Sequence, residues 1–291
     1  MAYYLHILIM INIYILLILG MNLLLGYTNL LSLCHAAFYG IGAYLTVFAL
    51  VKLNLTFFPA LALACVGTMI ASLVISLPSL RLHGDYFVLV TLGFMMVVFS
   101  IMYNCVPLTN GPYGISGIPK PAFLGLIKAD GIPGYALLTT ILSVGSIALF
   151  KVLVQSPFGR ILRGIRDEEI MVESLGRNVF FFKVLAFAIS AGFAAVAGFV
   201  YATYVTYIDP TSFTLDESIF ILSAAIIGGT GNIIGSIVGA IFVIIMPEII
   251  RVIHIPDTIA PNVRQIIYGM LLIILMYFRP KGLLGKYEFK E

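Results

Sequence analysis

The residues best placed to do chemistry are few, and spacing alone sets most of them aside. Gly228-Gly229-Thr230-Gly231-Asn232 comes nearest to a phosphate-binding loop. A nucleotide cradle of that type needs Gly-x-x-x-x-Gly-Lys-Ser/Thr, because its lysine reaches the terminal phosphates. That lysine is missing here, and the motif occurs nowhere in the chain. His6, His35, His83 and His254 form no His-x-x-x-His or related metal spacing. Cys34, Cys65 and Cys105 form no Cys-x-x-Cys pair and sit in or beside apolar runs, so small apolar packing is their expected role. No nucleophile elbow is present either. The chain is therefore not expected to be an enzyme, or to carry a metal or cofactor of its own.

Ionisable groups inside apolar runs are the default functional flags of a membrane protein. His35 lies early in one run, where packing or a helix–helix hydrogen bond is expected. Asp85 opens another, where a carboxylate suits the helix dipole. Glu248 and Arg251 are three residues apart and would form a structural pair on one helix face. The chain of intramembrane carboxylates that an ion-coupled carrier would want is absent.

The elements that must position these residues follow from composition. Of 291 residues, 61% are hydrophobic and 10% charged, with a mean hydropathy of +1.10. A soluble domain carries roughly 25% charged residues. So apolar a chain needs a bilayer as its solvent, and its net charge of +3 gives no reason to expect nucleic acid. Runs long enough to span fall near 5–25, 31–51, 57–77, 85–105, 133–155, 181–206, 217–229, 233–252 and 263–279. The expected fold is an all-α polytopic bundle of about nine crossings (8–10), forming one membrane domain over 1–291. The first run lacks the basic n-region and cleavage site of a secretory signal and reads as a retained span. The seventh is short and ends in the glycine cluster at 228–232, which should break the helix. Pro107, Pro112, Pro119 and Pro121 with their neighbouring glycines make 106–132 an irregular loop with room for a short re-entrant piece.

Lysine and arginine are retained on the cytoplasmic side of membranes. Placing 156–180 and the C-terminal tail there puts eleven of the sixteen basic residues inside and five outside. The N-terminus is then expected outside and the C-terminus inside.

The segment 156–178 is the most informative in the chain. Ser156 before Pro157 is a helix-start signal, and Gly176 can supply a left-handed C-cap. Ile161, Leu162, Ile165, Ile170, Val172 and Leu175 interleave with charges at helical spacing. One or two short amphipathic helices beside the membrane are predicted. A solvated loop obeying the positive-inside rule would show a similar charge pattern. The brevity of most other loops favours a docking surface.

The same segment resembles the cytoplasmic signature of branched-chain amino acid ABC permeases of the LivM type, G-R-x-L-x-A-I-R-x-x-E-x-x-A-E-x-L-G. It matches at Gly159, Arg160, Leu162, Ile165, Arg166, Glu169, Glu173, Leu175 and Gly176, and departs at Gly164 and Val172. Gly26-Tyr27 with Ser32 and His35–Tyr44, Arg81–Phe87 with Thr91-Leu92-Gly93, Thr109–Pro119, and Gly228–Ala240 resemble further family segments in the same order. The resemblance implies that 156–178, including Arg163, is a coupling loop seated in an ATP-hydrolysing subunit. It also implies a second permease subunit, two ABC ATPase subunits holding ATP and magnesium, and an external substrate-binding protein. The implied cargo is a branched-chain or related amino acid crossing a bilayer. Such a zwitterion needs polar backbone or helix N-termini for its carboxylate, and Ser32, Thr91, Gly93, Asn110 and Gly111 are candidate liners. Gly40, Gly42, Gly192, Gly198, Gly235 and Gly239 are expected to allow close helix packing. The alternatives are a stand-alone carrier or channel, the same ABC role for urea or amides, and a non-transporting scaffold whose loop recruits a partner.

Overall fold

A computed structural model describes residues 2–82, 84–120 and 131–252, together with 266, 267, 269, 270, 273, 283 and 284. Its main elements are α1 (Ala2–Thr28), α2 (His35–Val47, continued by a π-helical turn Phe48–Lys52), α3 (Phe57–Ser79), α4 (Asp85–Asn104), α5 (Val106–Thr109), α6 (Ile132–Gln155), α7 (Pro157–Asp167), α8 (Glu169–Ser174), α9 (Val179–Val205), α10 (Leu215–Gly228) and α11 (Ile233–Val252). Seven helices among the described residues are long and apolar enough to cross a membrane. Eight of the nine expected runs coincide with a helix, the eighth with α11. The ninth, 263–279, lies mostly outside the described residues, as does most of the C-terminal tail. The fold is thus the expected all-α polytopic bundle. A two-residue antiparallel ladder is its one exception among the described residues, pairing β1 (Ile115–Ser116) with β2 (Tyr207–Ile208).

Burial sorts the helices. α1 is apolar on every side, and nearly all of it from Ile9 to Thr28 is buried, the expected state of a helix without a polar face. It packs against α6, α9, α10 and α11, while α9 packs against α2 and α3. The outer helices expose large apolar side chains: Val66, Ile70 and Val74 on α3, Leu89, Val97 and Ile101 on α4, Val144 and Val152 on α6. Such faces suit contact with hydrocarbon or another apolar surface, not with water.

Inside a bilayer no hydrophobic force separates helix from lipid, so small residues and interhelical hydrogen bonds hold spans together. At the α2–α9 crossing, a Cβ on Gly42 would lie 2.5 Å from Ala195 Cα, and one on Gly198 would lie 2.5 Å from Tyr39 O. Gly235 and Gly239 bring α11 equally close to α10, so the packing expected of these glycines is what the structure contains. Asn12 Nδ2 donates across to Thr140 of α6 at 3.1 Å, and Ser190 Oγ donates to Gly20 O at 2.8 Å. His35, wholly buried, contacts Leu17 O through Nε2 at 3.0 Å, the helix–helix bond expected of it. Glu248 accepts from Tyr3 OH, which places the start of α1 beside the end of α11.

The helices alternate in direction, so the irregular segments collect at two ends. The loop end carries 29–34, 80–84, 156–178 and 229–232. Leu283 and Leu284 return there, donating through their amides to Ile227 O at 2.9 Å and Gly228 O at 3.2 Å. At the opposite end lie 105–120 and 206–214, joined by the β ladder and by Ile118 N donating to Thr206 O at 3.4 Å.

The close α2–α9 crossing yields a direct expectation. Gly42→Val and Gly198→Val each lower the unfolding midpoint of the detergent-purified protein, the equivalent of about 1–3 kcal/mol of overpacking. Gly145→Ala, with nothing within 4 Å of its added carbon, leaves the midpoint in place. Equal midpoints for all three variants would show that the crossing can relax.

Candidate functional site

The segment 156–178 leaves α6 through a turn that only glycine allows. A Cβ on Gly159 would fall 2.2 Å from Val154 O, because α7 folds back against the end of α6. Ser156 is the N-cap, its Oγ accepting from Gly159 N at 3.5 Å, and Pro157 takes the first helical position. Glu168, in an extended conformation, divides α7 from α8. The second helix ends at Gly176 with φ of +76°. Its amide donates to Glu173 O at 2.8 Å and Arg177 N donates to Val172 O at 3.3 Å, the paired bonds of a Schellman cap. Both predicted caps are present, and the two amphipathic helices with them.

The matched residues divide into two groups by the direction they face. Leu162, Ile165 and Val172 are buried against the bundle. Arg166 also turns inward: Nη1 donates to Gly26 O at the end of α1 at 3.0 Å, and Nε donates to Asp167 Oδ1 at 2.9 Å. Arg163 Nη2 donates to Val154 O at 3.4 Å. Glu169 pairs with the buried Lys183 of α9 at 2.6 Å. Arg160, Glu173, Leu175 and Gly176 face outward, beside Ile170 and Met171. These last two, with Leu175, form an apolar patch in which each side chain is 63–75% exposed. The signature therefore holds the segment to the bundle as much as it presents a surface. Helical spacing alone does not tell these duties apart.

Beneath the α7–α8 break lies a cavity of about 450 Å³, lined by Thr28, Asn29, Leu82, Asp85, Arg166 and Lys183 among others. Deeper, the glycine turn after α10 is fastened to α1 by Asn22, a residue that no sequence motif singled out. Asn22 Oδ1 accepts from Gly231 N at 2.8 Å, while Nδ2 donates to Asn232 O at 3.0 Å and Ser236 Oγ at 2.7 Å. Its only sequence signal is an amide in a largely apolar run that also holds Asn12.

The candidate path residues are strung along α4 and do not converge on one pocket. Ser32 and Thr91 are buried at the loop end, where Leu33 N donates to Thr91 Oγ1 at 3.1 Å. Gly93 lies on the exposed face of α4, with open space where a side chain would be. Asn110 and Gly111 sit at the opposite end, both at positive φ, with Asn110 Nδ2 donating to Gly114 O at 2.7 Å. No group of three or more His, Cys, Asp or Glu placed to hold a metal occurs among the described residues.

A family model described as "Branched-chain amino acid transport system / permease component" matches residues 3–276. The high-affinity branched-chain amino acid transport system permease protein LivM of Salmonella typhimurium is 34% identical over 94% of this chain and 68% of its own length. A probable branched-chain amino acid transport permease protein LivM of Methanocaldococcus jannaschii is 26% identical over 77% of this chain and 67% of its own. The autoinducer 2 import system permease protein LsrC of Salmonella paratyphi B is 24% identical over 68% of this chain and 58% of its own. No solved structure matches the chain.

The Lys183–Glu169 pair generates a test of how the segment is held. Glu169→Ala leaves a buried ammonium without its carboxylate, a penalty softened because Glu169 is partly exposed. Amide exchange over 169–176 should then quicken by about tenfold, roughly 1.4 kcal/mol. Replacing both partners, as Lys183→Met/Glu169→Met, should restore most of the protection. Exchange unchanged in Glu169→Ala would assign the attachment to Leu162, Ile165 and Arg166 alone.

Proposed function

The chain belongs to the branched-chain amino acid transport system permease component family, and from that premise we propose that it is the membrane-spanning subunit of an ABC importer. In this reading it moves branched-chain amino acids inward, driven by ATP hydrolysis on a separate subunit, and is itself no enzyme. The observation that carries the proposal is the doubly capped α7–α8 segment, anchored inward by Arg166 and Glu169. It displays Ile170, Met171 and Leu175 outward. An apolar patch held on short rigid helices is what a docking element needs, since little ordering cost remains at binding.

The remaining machinery follows from the same reading. ATP and magnesium are held, in this reading, by two partner ATPase subunits, which fits a sequence without a P-loop motif. A second permease completes the membrane portion, and an external binding protein delivers the substrate. The basic residues Arg81, Arg160, Arg163, Arg166, Arg177 and Lys183 cluster at the loop end, which favours placing that end in the cytoplasm and the N-terminus outside. A passage along the inner side of α4, from Asn110 and Gly111 to Thr91 and Ser32, would then run from outside to inside, with Gly93 on the opposite, exposed face. The relative named for autoinducer 2 import supports a second reading, the same permease role with a different small polar cargo.

Gentle purification with native partners tests the docking claim. The wild type should bring along an ATPase subunit and a second permease. Met171→Glu/Leu175→Glu should lose at least about nine-tenths of the ATPase, as expected when charge enters an apolar anchor. Because both side chains are exposed, the variant's own yield and unfolding midpoint should hold. Leucine uptake into vesicles should require ATP and the binding protein. Purification of the chain alone in both forms would overturn the importer reading in favour of a self-contained carrier.

A further inference from the structure

Arg166, Gly26 and Gly231 meet at one point. The Arg166 guanidinium donates to Gly26 O at 3.0 Å. A Cβ on Gly231 would lie 3.2 Å from that same oxygen and 3.3 Å from Arg166 Nη1. From the other side, a Cβ on Gly26 would fall 2.1 Å from Asn22 Oδ1 and 2.3 Å from Gly231 N, so the backbones of α1 and the glycine turn approach closely with the Asn22 amide at their contact. One helical turn earlier, Asn22 uses both ends of its amide on that turn, through Gly231 N and Asn232 O, and reaches Ser236 Oγ at the start of α11. Tyr27 OH adds a bond to Gly231 O at 3.0 Å. The far side of the turn is fixed as well, since Asn232 Nδ2 donates to Leu284 O at 2.7 Å.

We propose that Asn22, with Gly26 and Ser236, is a positioning site that passes movement of α7–α8 to the α10–α11 hairpin. The inference rests on the importer reading and deepens it. Two features separate this cluster from ordinary packing. First, the Arg166 guanidinium grips a backbone carbonyl and the Asn22 amide grips the backbone of a non-helical turn, so each link has one end fixed in the main chain. Second, the turn joins two helices whose contact is itself glycine on glycine, with a Cβ on Gly228 only 2.1 Å from Gly235 O. A displacement at Gly26 is therefore transmitted to the hairpin and not absorbed. Asn22 is 1% exposed, so breaking its bonds leaves polar backbone unsatisfied where water is scarce.

The test uses the whole complex reconstituted in liposomes, with ATP hydrolysis and labelled leucine uptake read in the same vesicles. Asn22→Ala should leave hydrolysis in place and lower uptake per ATP by about tenfold, the size of a typical coupling between sites. Ser236→Ala, which removes one bond of three, should give a smaller fall, and it carries the test where Asn22→Ala fails to assemble. Asn22→Ala/Arg166→Lys should be no worse than the poorer single variant, because both act on one path. An unchanged ratio in Asn22→Ala and Ser236→Ala, or uptake and hydrolysis falling together with the amount of assembled complex, overturns the proposal and leaves the importer reading standing. Wild-type chain that assembles with no ATPase and shows no ATP-driven uptake overturns both.

Discussion

Hydrocarbon offers no hydrogen bonds, and the rest of this structure follows from that. Any backbone group at membrane depth that leaves a helix must find a partner within the protein. The described residues meet the requirement by running as helices almost throughout, with loops at the two ends of the bundle. Where the chain breaks between α10 and α11, Asn22 supplies both a donor and an acceptor to the exposed backbone. A buried amide in α1 is otherwise hard to account for, since transferring it out of water without partners costs several kcal/mol.

The same constraint governs how the helices meet. Helix–helix contact gains little from excluding lipid, so close approach and a few polar bonds must supply the adhesion. Glycine at the α2–α9 and α10–α11 contacts permits backbone-to-backbone packing, and Asn12, His35 and Ser190 bridge α1 to its neighbours. α1 and α9 form the interior, while α3, α4 and α6 present apolar faces outward. Those faces face lipid or a second subunit equally well, and the proposed pairing with another permease would cover part of them.

Much of this was legible in the sequence because the bilayer makes length and hydropathy decisive. Eight helical runs, the break at the glycine cluster and both caps of 156–178 could be read from residue types alone. Facing was not legible. Arg166 and Glu169 read as parts of a displayed surface, yet the first bonds to Gly26 O and the second to Lys183, and Ile170 and Met171 carry the exposed patch instead. Helical spacing states which residues share a side, but which side meets the bundle depends on the turn at Gly159. Asn22 was missed because an amide in an apolar run carries no sign of which distant backbone it will meet. Ser32, Thr91, Gly93, Asn110 and Gly111 were chosen for polarity or backbone freedom, and nothing in such a criterion requires them to be neighbours in space.

The division of the signature into inward and outward residues has a mechanical consequence. A docking helix attached by one flexible hinge would dissipate a push from a partner in its own reorientation. Here α7 and α8 are held at independent points: Leu162 and Ile165 against the bundle, Arg166 on α1, and Glu169 on α9. Attachments to more than one helix resist reorientation of the segment better than a single hinge would. A force applied at Met171 and Leu175 would then reach α1 and α9, the two interior helices, as well as α6, which Arg163 touches at Val154 O. The ion pair and the guanidinium–carbonyl bond are partly sheltered from water, where such contacts are stronger than at an open surface. Anchoring of that kind makes sense of a loop whose matched residues are as often buried as displayed, because a surface that only recruited a partner would have no need of them.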